Sequence, residues 1–176
     1  MRKAFIICLL VYICVSCNNP ADKTTAKTDS TGAAPAYAYK IDKPDNWEMG
    51  DSKNTALVLA SLKAFENNKI DESLTNFADT VIWRANDTDG KFSKDSLKAM
   101  FTAAWKQMKS TKIDMDDFES VISKDKKDEW VTLWYKQTTT DAKGKTDSVA
   151  VVNDLKIVNG KIAVLNEATR TLKPKK

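Results

Sequence analysis

The side chains able to do chemistry are few in this chain and unevenly placed. All three cysteines, Cys8, Cys14 and Cys17, fall in the opening stretch MRKAFIICLLVYICVSC, and histidine is absent throughout. Without histidine, the commonest general base and the commonest metal ligand are both missing. Two acidic clusters invite a calcium reading: Asp114, Asp116 and Asp117 in DMDD, and Asn86, Asp87, Asp89 and Gly90 in NDTDG. A calcium loop turning at Gly90 needs an oxygen ligand where Ala85 stands and a glutamate where Ser96 stands. Both clusters therefore read as solvated turn or strand edge. No glycine-rich phosphate loop occurs and the serines lack a partner base, so no metal and no cofactor is expected. Aromatic residues are the other resource. Trp83, Trp105, Trp130 and Trp134, with Tyr135, either line a ligand cavity or fill an ordinary core.

The cysteines stand in a segment with a different purpose. Arg2 and Lys3 form a basic start, Ala4 to Val15 is an almost unbroken apolar run, and Ser16 and Cys17 come after it. That order is typical of a secretory signal peptide, and the run is shorter than the roughly 20 residues a helix needs to cross a bilayer. Cys14-Val15-Ser16-Cys17 resembles the lipobox of bacterial lipoproteins, where a small residue precedes a cysteine that is lipidated before the leader is cut away. Cys14 stands where that motif usually has Leu, Val or Ile. The resemblance implies a leader over residues 1–16 and lipid (palmitate among its acyl chains) on Cys17. It also implies attachment to the membrane of a bacterial cell envelope, at the outer membrane, on its periplasmic or surface face. An uncleaved anchor is the alternative. With Cys17 lipidated, no thiol remains for catalysis, redox chemistry or metal binding.

Loss of Arg2 and Lys3 with the leader would lower the net charge of +4 by two units. Lysines and acids alternate through the rest, as in SKDKKDE and DAKGKTD, which describes a solvated surface with no footprint for nucleic acid. Residues 17–45 are rich in Thr, Ala, Lys, Asp and Pro and nearly empty of large aliphatics. Such a segment cannot bury enough apolar surface to offset its ordering entropy, so it reads as a tether. Tyr37, Tyr39, Ile41 and Trp47 suggest that its end packs onto the domain. That domain spans residues 46–176, an ordinary size for one.

The domain's elements must position whatever chemistry it has. Asp51 or Asn54 can cap a helix through TALVLASLKAFENN, with Val58 or Leu59, Leu62 and Phe65 on one face. Asp71 can cap a short second helix, ESLTNFA. TVIWRA closed by NDTDG reads as strand and turn. Ser93 then precedes an amphipathic helix, KDSLKAMFTAAWKQMKS, with Leu97, Phe101, Ala104, Trp105 and Met108 at helical spacing. Beyond it the period falls to two. KIDMDDFESVIS is a strand with a slip around DDF, as at a bulge. EWVTLWYKQTTTD, DSVAVVNDLKIV and KIAVLNEATRTL are further strands, and Asn159-Gly160 suits a type I′ turn. Helices first and a meander after predict an α+β domain with helices on one face of an antiparallel sheet.

In that order the segments NFADTVIWRANDTDGKFSKDSLKAMFTAAW and VNGKIAVLNEATR resemble the nuclear transport factor 2-like fold and its SnoaL-like bacterial branch. The matching positions are Phe77-Ala78-Asp79, Trp83, Gly90, Ser93 and Gly160-Lys161-Ile162, and the likeness covers about residues 52–172. It implies a cone, in which a curved sheet wraps helices around a pocket. Members of that family include ketosteroid isomerases, polyketide cyclases, dehydratases and non-catalytic binding or assembly modules, and they commonly pair through the sheet. Fold therefore leaves function open. Catalytic members use a carboxylate or an Asp-His pair, and many carry His or Asp on the last strand, where this chain reads AVLNEATR.

The resemblance makes Asp79 and Glu167 the candidate bases, each with a plainer role as cap, ion-paired or solvated residue. Asn166 and Glu167 are adjacent on a strand, so at most one of them faces a pocket. Trp83, Trp105, Trp134 and Asn166 are the candidate pocket residues. Trp134 and Tyr135 must face opposite ways, and an outward aromatic would mark a surface for a homodimer. Three functions remain: a lipid-anchored module binding a small apolar ligand or a protein partner, an isomerase or cyclase working through a carboxylate, and a structural dimerisation module.

Overall fold

In the computed structural model of the chain, residues 37–42 and 46–172 are described. The leader, Cys17 and most of the tether lie outside them. The chain divides into two units, Met1–Ile41 and Asp42–Lys176. The described part of the first, residues 37–41, holds no helix or strand. Among the described residues, no helix is long and apolar enough to cross a membrane.

The second unit begins with a three-residue strand, β1 (Trp47–Met49), and a helix, α1 (Ser52–Glu66). Of the two caps the sequence offers, Asp51 is the one used: its carboxylate accepts the backbone N–H of Lys53 at 2.9 Å. Thr55, Val58, Ser61 and Ala64 recur every third residue and form the buried stripe of α1. The next helix, α2 (Ile70–Leu74), is shorter than ESLTNFA and starts before Asp71. Asn76 leaves it to donate to Ser61 Oγ at 3.1 Å, and Phe77 already belongs to a strand, β2 (Phe77–Ala85). Asn86-Asp87 then turns β2 into β3 (Thr88–Ser93), an edge strand too polar to show a strand period. The Ser93 side chain caps α3 (Lys94–Lys106) by accepting the N–H of Ser96 at 3.1 Å.

Four strands complete the chain: β4 (Met108–Ser123), β5 (Glu129–Asp141), β6 (Thr146–Val158) and β7 (Lys161–Thr171). The slip around DDF is a real irregularity, since the β4–β5 register shifts between Met115 and Asp117. Asn159 and Gly160 both take positive φ, 51° and 68°, as a type I′ turn requires. The sheet runs β1-β4-β5-β6-β7-β2-β3 and is curved and unclosed. One pairing departs from the expected antiparallel pattern: β2 lies parallel to β7, because the chain returns to β2's side after α3 and three hairpin strands.

Strand parity sets the core. On β5, Val131, Leu133 and Tyr135 are buried, while Trp130, Thr132 and Trp134 alternate with them on the other face. The inner face meets α1 and α3 through Val58, Leu97 and a ring cluster centred on Phe101. Phe101 sits edge-on to Phe65 at 5.3 Å, Trp83 at 5.8 Å and Phe77 at 6.4 Å between centroids.

Candidate functional site: a cavity on the inner face

Four neighbouring strands carry polar side chains into this apolar interior. Tyr135 comes after Val131 and Leu133 at period two on β5. On β6, Asn153 stands between Val151 and Leu155 in the same parity. On β7, Glu167 shares the parity of Leu165, and Leu165 lies opposite Trp83 of β2. Asn153 and Glu167 are direct cross-strand partners. The sequence therefore folds these groups inward simply because β-strands alternate.

Together with α1, α2 and α3 they enclose a cavity of about 190 Å³. Its walls are mostly apolar, with Val58, Leu62 and Phe65 from α1 and Met100, Phe101 and Ala104 from α3. Ala104 is exposed and Met100 half-buried, so the cavity reaches the surface beside α3. A ~150 Å³ apolar cavity can hold benzene, so this volume suits about one substituted ring.

The polar end is incompletely bonded. Asn153 Nδ2 donates to Tyr135 Oη at 2.9 Å, but Asn153 Oδ1 is buried with no partner. Trp83 Nε1 is likewise buried and unpartnered. Burial raises the pKa of Glu167, because an apolar wall disfavours its charged form. Tyr135 is pushed up further, first by burial and then by the neighbouring Glu167 charge, against the opposing bond from Asn153. Tyr135 is therefore neutral, and burial makes the charge of Glu167 costly.

The other expected site residues lie elsewhere, for physical reasons. Asp79 is fully exposed on β2, in neither a helix nor the cavity wall, with Lys94 Nζ at 3.6 Å. Asn166 faces out beside Glu167 and accepts from Arg84 Nη1 at 3.1 Å. Trp134 is on the outer face, where parity puts it. Trp105 is half-buried outside the cavity lining, and its Nε1–H donates to the Phe65 carbonyl at 3.0 Å, joining α3 to the end of α1. Trp83 and Glu167 are the two candidates that line the cavity. Asn153 was missed, although a polar residue in the buried parity of SVAVVNDLKIV was a readable signal. No group of metal-ligating side chains occurs among the described residues.

Known proteins resemble this chain in shape and little in sequence. No family model and no curated protein matches it. An NTF2-like protein of unknown function from Burkholderia pseudomallei superposes with a TM-score of 0.56 at 18% identity, over 66% of this chain and 90% of that one. The domain has the NTF2-like fold. An LEH-like epoxide hydrolase from M. tuberculosis matches the NTF2-like domain at TM-score 0.55 and 11% identity, over 68% of this chain and 84% of its own. TerC, co-crystallised with polyporic acid, matches at TM-score 0.54 and 16% identity, over 65% of this chain and 89% of its own.

Proposed function

We propose that the NTF2-like domain binds a small, largely apolar molecule in its inner cavity, without turnover, and that the chain is held at a bacterial envelope membrane by lipid on Cys17. The observation carrying the binding reading is the cavity itself, an apolar enclosure whose buried polar atoms on Asn153 and Trp83 have no partner in the fold. Each such atom costs stability, and although Ser120 Oγ is also buried without a partner, only Asn153 and Trp83 belong to the cavity lining. TerC, of similar fold, was crystallised with an organic ligand, which agrees with this reading. The anchor rests on the leader and the lipobox-like ending. Two measurements test the two parts. Mass spectrometry of the gently purified full chain should find a copurified small molecule, released by denaturation; a clean chain that also binds no aromatic probe would end the binding reading. Cys17→Ala should abolish acylation, and unchanged membrane partition of that variant would end the anchor.

One observation favours a second reading. Glu167 lies in an apolar wall with a raised pKa, the setting in which carboxylates serve as acid–base catalysts. An NTF2-like neighbour in shape is named as an epoxide hydrolase. Turnover of a carbonyl or epoxide compound, lost in Glu167→Gln, would establish catalysis at the same site. Homodimer formation is a separate proposal, supported by half-buried Trp134 and 37%-exposed Val152 side by side on the outer face.

A further inference from the structure

The inner face carries more hydrogen-bonding capacity than the fold uses. Asn153 is 6% exposed and its amide is committed on one side alone, through Nδ2 to Tyr135 Oη at 2.9 Å. Tyr135 accepts that bond, so its own hydroxyl proton has no acceptor among the described residues. Turning the amide over exchanges the roles without removing them: Tyr135 would donate to Oδ1, leaving an Nδ2–H donor and a phenol lone pair. In either orientation the pair offers at least one donor and one acceptor, since the amide nitrogen carries two N–H groups. Trp83 adds a further donor, its buried Nε1–H.

Building on the binding reading above, we propose that the cavity selects a neutral, mostly apolar molecule that carries both a hydroxyl or amide N–H and a carbonyl oxygen. A pure hydrocarbon would leave Asn153 Oδ1, the Tyr135 hydroxyl proton and the Trp83 Nε1–H without partners. An anion meets no lysine or arginine in the lining, and shares the cavity with the carboxyl of Glu167. That carboxyl is itself biased toward its neutral form by burial, so the site already resists negative charge. A cation could pair with Glu167 but would leave the Trp83 and Tyr135 donors unanswered. A neutral hydroxy-carbonyl compound brings both a donor and an acceptor to them. The volume limits it to about one substituted ring, by comparison with the ~150 Å³ that holds benzene.

Three probes of similar size test this on the full chain held in lipid nanodiscs, with empty discs as the blank, at slightly acid pH. They are para-hydroxyacetophenone, para-cymene and para-toluate. The first should bind about tenfold or more tightly than para-cymene, the scale of one hydrogen bond to a buried partner, and para-toluate should bind most weakly. In Asn153→Leu the first two should converge to within about threefold. Should that variant fail to fold by thermal melting, Tyr135→Phe removes a single hydroxyl and is judged by the same convergence. Equal or tighter binding of para-cymene or para-toluate, or a preference unchanged in the variant, overturns the inference while leaving the binding reading in place. No binding of any probe above the blank overturns the binding reading, and this inference with it.

Discussion

Ser123 and Asn153 are both polar and both buried, 0% and 6% exposed, yet the fold treats them in opposite ways. Ser123 ends β4 in a loop where its hydroxyl accepts from Asp128 N at 2.9 Å and Lys127 N at 3.2 Å, and donates to Asp125 Oδ1 at 2.6 Å. Every bonding position is used, and the loop from β4 to β5 is tied by them. Asn153, at the centre of the inner face, keeps one bond and leaves Oδ1 without a partner. A buried polar group that the fold fully employs is structural. One that the fold leaves half-employed, beside a cavity, is available to something outside the chain.

That contrast is sharpened first where the effect is largest. Ser123→Ala takes the side-chain acceptor from the Asp128 N–H, while Lys127 N and the Asp125 carboxylate keep their own bond at 3.2 Å. The expected loss is about 1–2 kcal/mol in chemical denaturation, for one N–H left without its acceptor, with no change in ligand affinity. A loss near zero would show that water replaces the hydroxyl and would dissolve the contrast. Next in size, the double variant Tyr135→Phe/Asn153→Leu removes both partners of the cavity's one internal bond. Replacing both by apolar groups of similar shape should move stability by less than about 1 kcal/mol, in either direction. Affinity for a hydroxy-carbonyl probe should nevertheless fall about tenfold, as for one lost hydrogen bond. A large drop in stability instead would make Asn153 as structural as Ser123.

The two regions were also unequally legible in the sequence. Strands β5, β6 and β7 declared themselves by period and by the Asn159-Gly160 turn, because each has one apolar face over many residues. β1 and β3 did not, since three residues show no period and TDGKFS holds a single large apolar side chain. The pocket residues divide along the same line. Glu167 could be named, and parity told that Asn166 and Glu167 cannot both face in. Parity alone does not say which face is the core, so Trp134 and Asn166 were as eligible as Tyr135 and Glu167. The contents of NDLKIV settle it afterwards: Asn153 keeps step with Leu155 and Ile157, both buried. Asp79 was displaced by a different error. The parallel pairing of Phe77 with Ile162 pulls Phe77 and Ala78 out of the second helix and into β2, where Asp79 faces solvent.

A smaller effect concerns pH. Burial raises the pKa of Glu167 in the folded state above the ordinary carboxylate value that it keeps in the unfolded chain. Between those two values the folded protein binds the proton more tightly than the unfolded chain, so stability falls as pH rises through that window and levels off above it. Glu167→Gln cannot ionise and escapes this loss. Its melting temperature relative to the parent chain should therefore climb from acid pH to neutral pH, measured by thermal melts in matched buffers. A difference that stays flat with pH would mean the carboxylate is solvated, which would also weaken its claim to acid–base work.

The smallest expected effect belongs to Asp79, the carboxylate that the chain's likeness to its relatives singled out alongside Glu167. Its side chain is fully exposed, and its one ion pair spans 3.6 Å to Lys94 Nζ. A solvent-screened pair of this kind contributes little, since the Coulomb attraction in water barely exceeds the entropy lost in holding two mobile side chains together. Asp79→Asn should therefore leave the melting temperature within measurement error of the parent chain and leave probe affinity unchanged. Salt should erase whatever difference remains, because screening acts on exposed charges first. The comparison with Glu167→Gln is then direct: two acids of the same chain, one in water and one in an apolar wall, of which the second alone lines the cavity. If Asp79→Asn abolished binding or turnover, the site would be the exposed side of β2 and not the inner cavity.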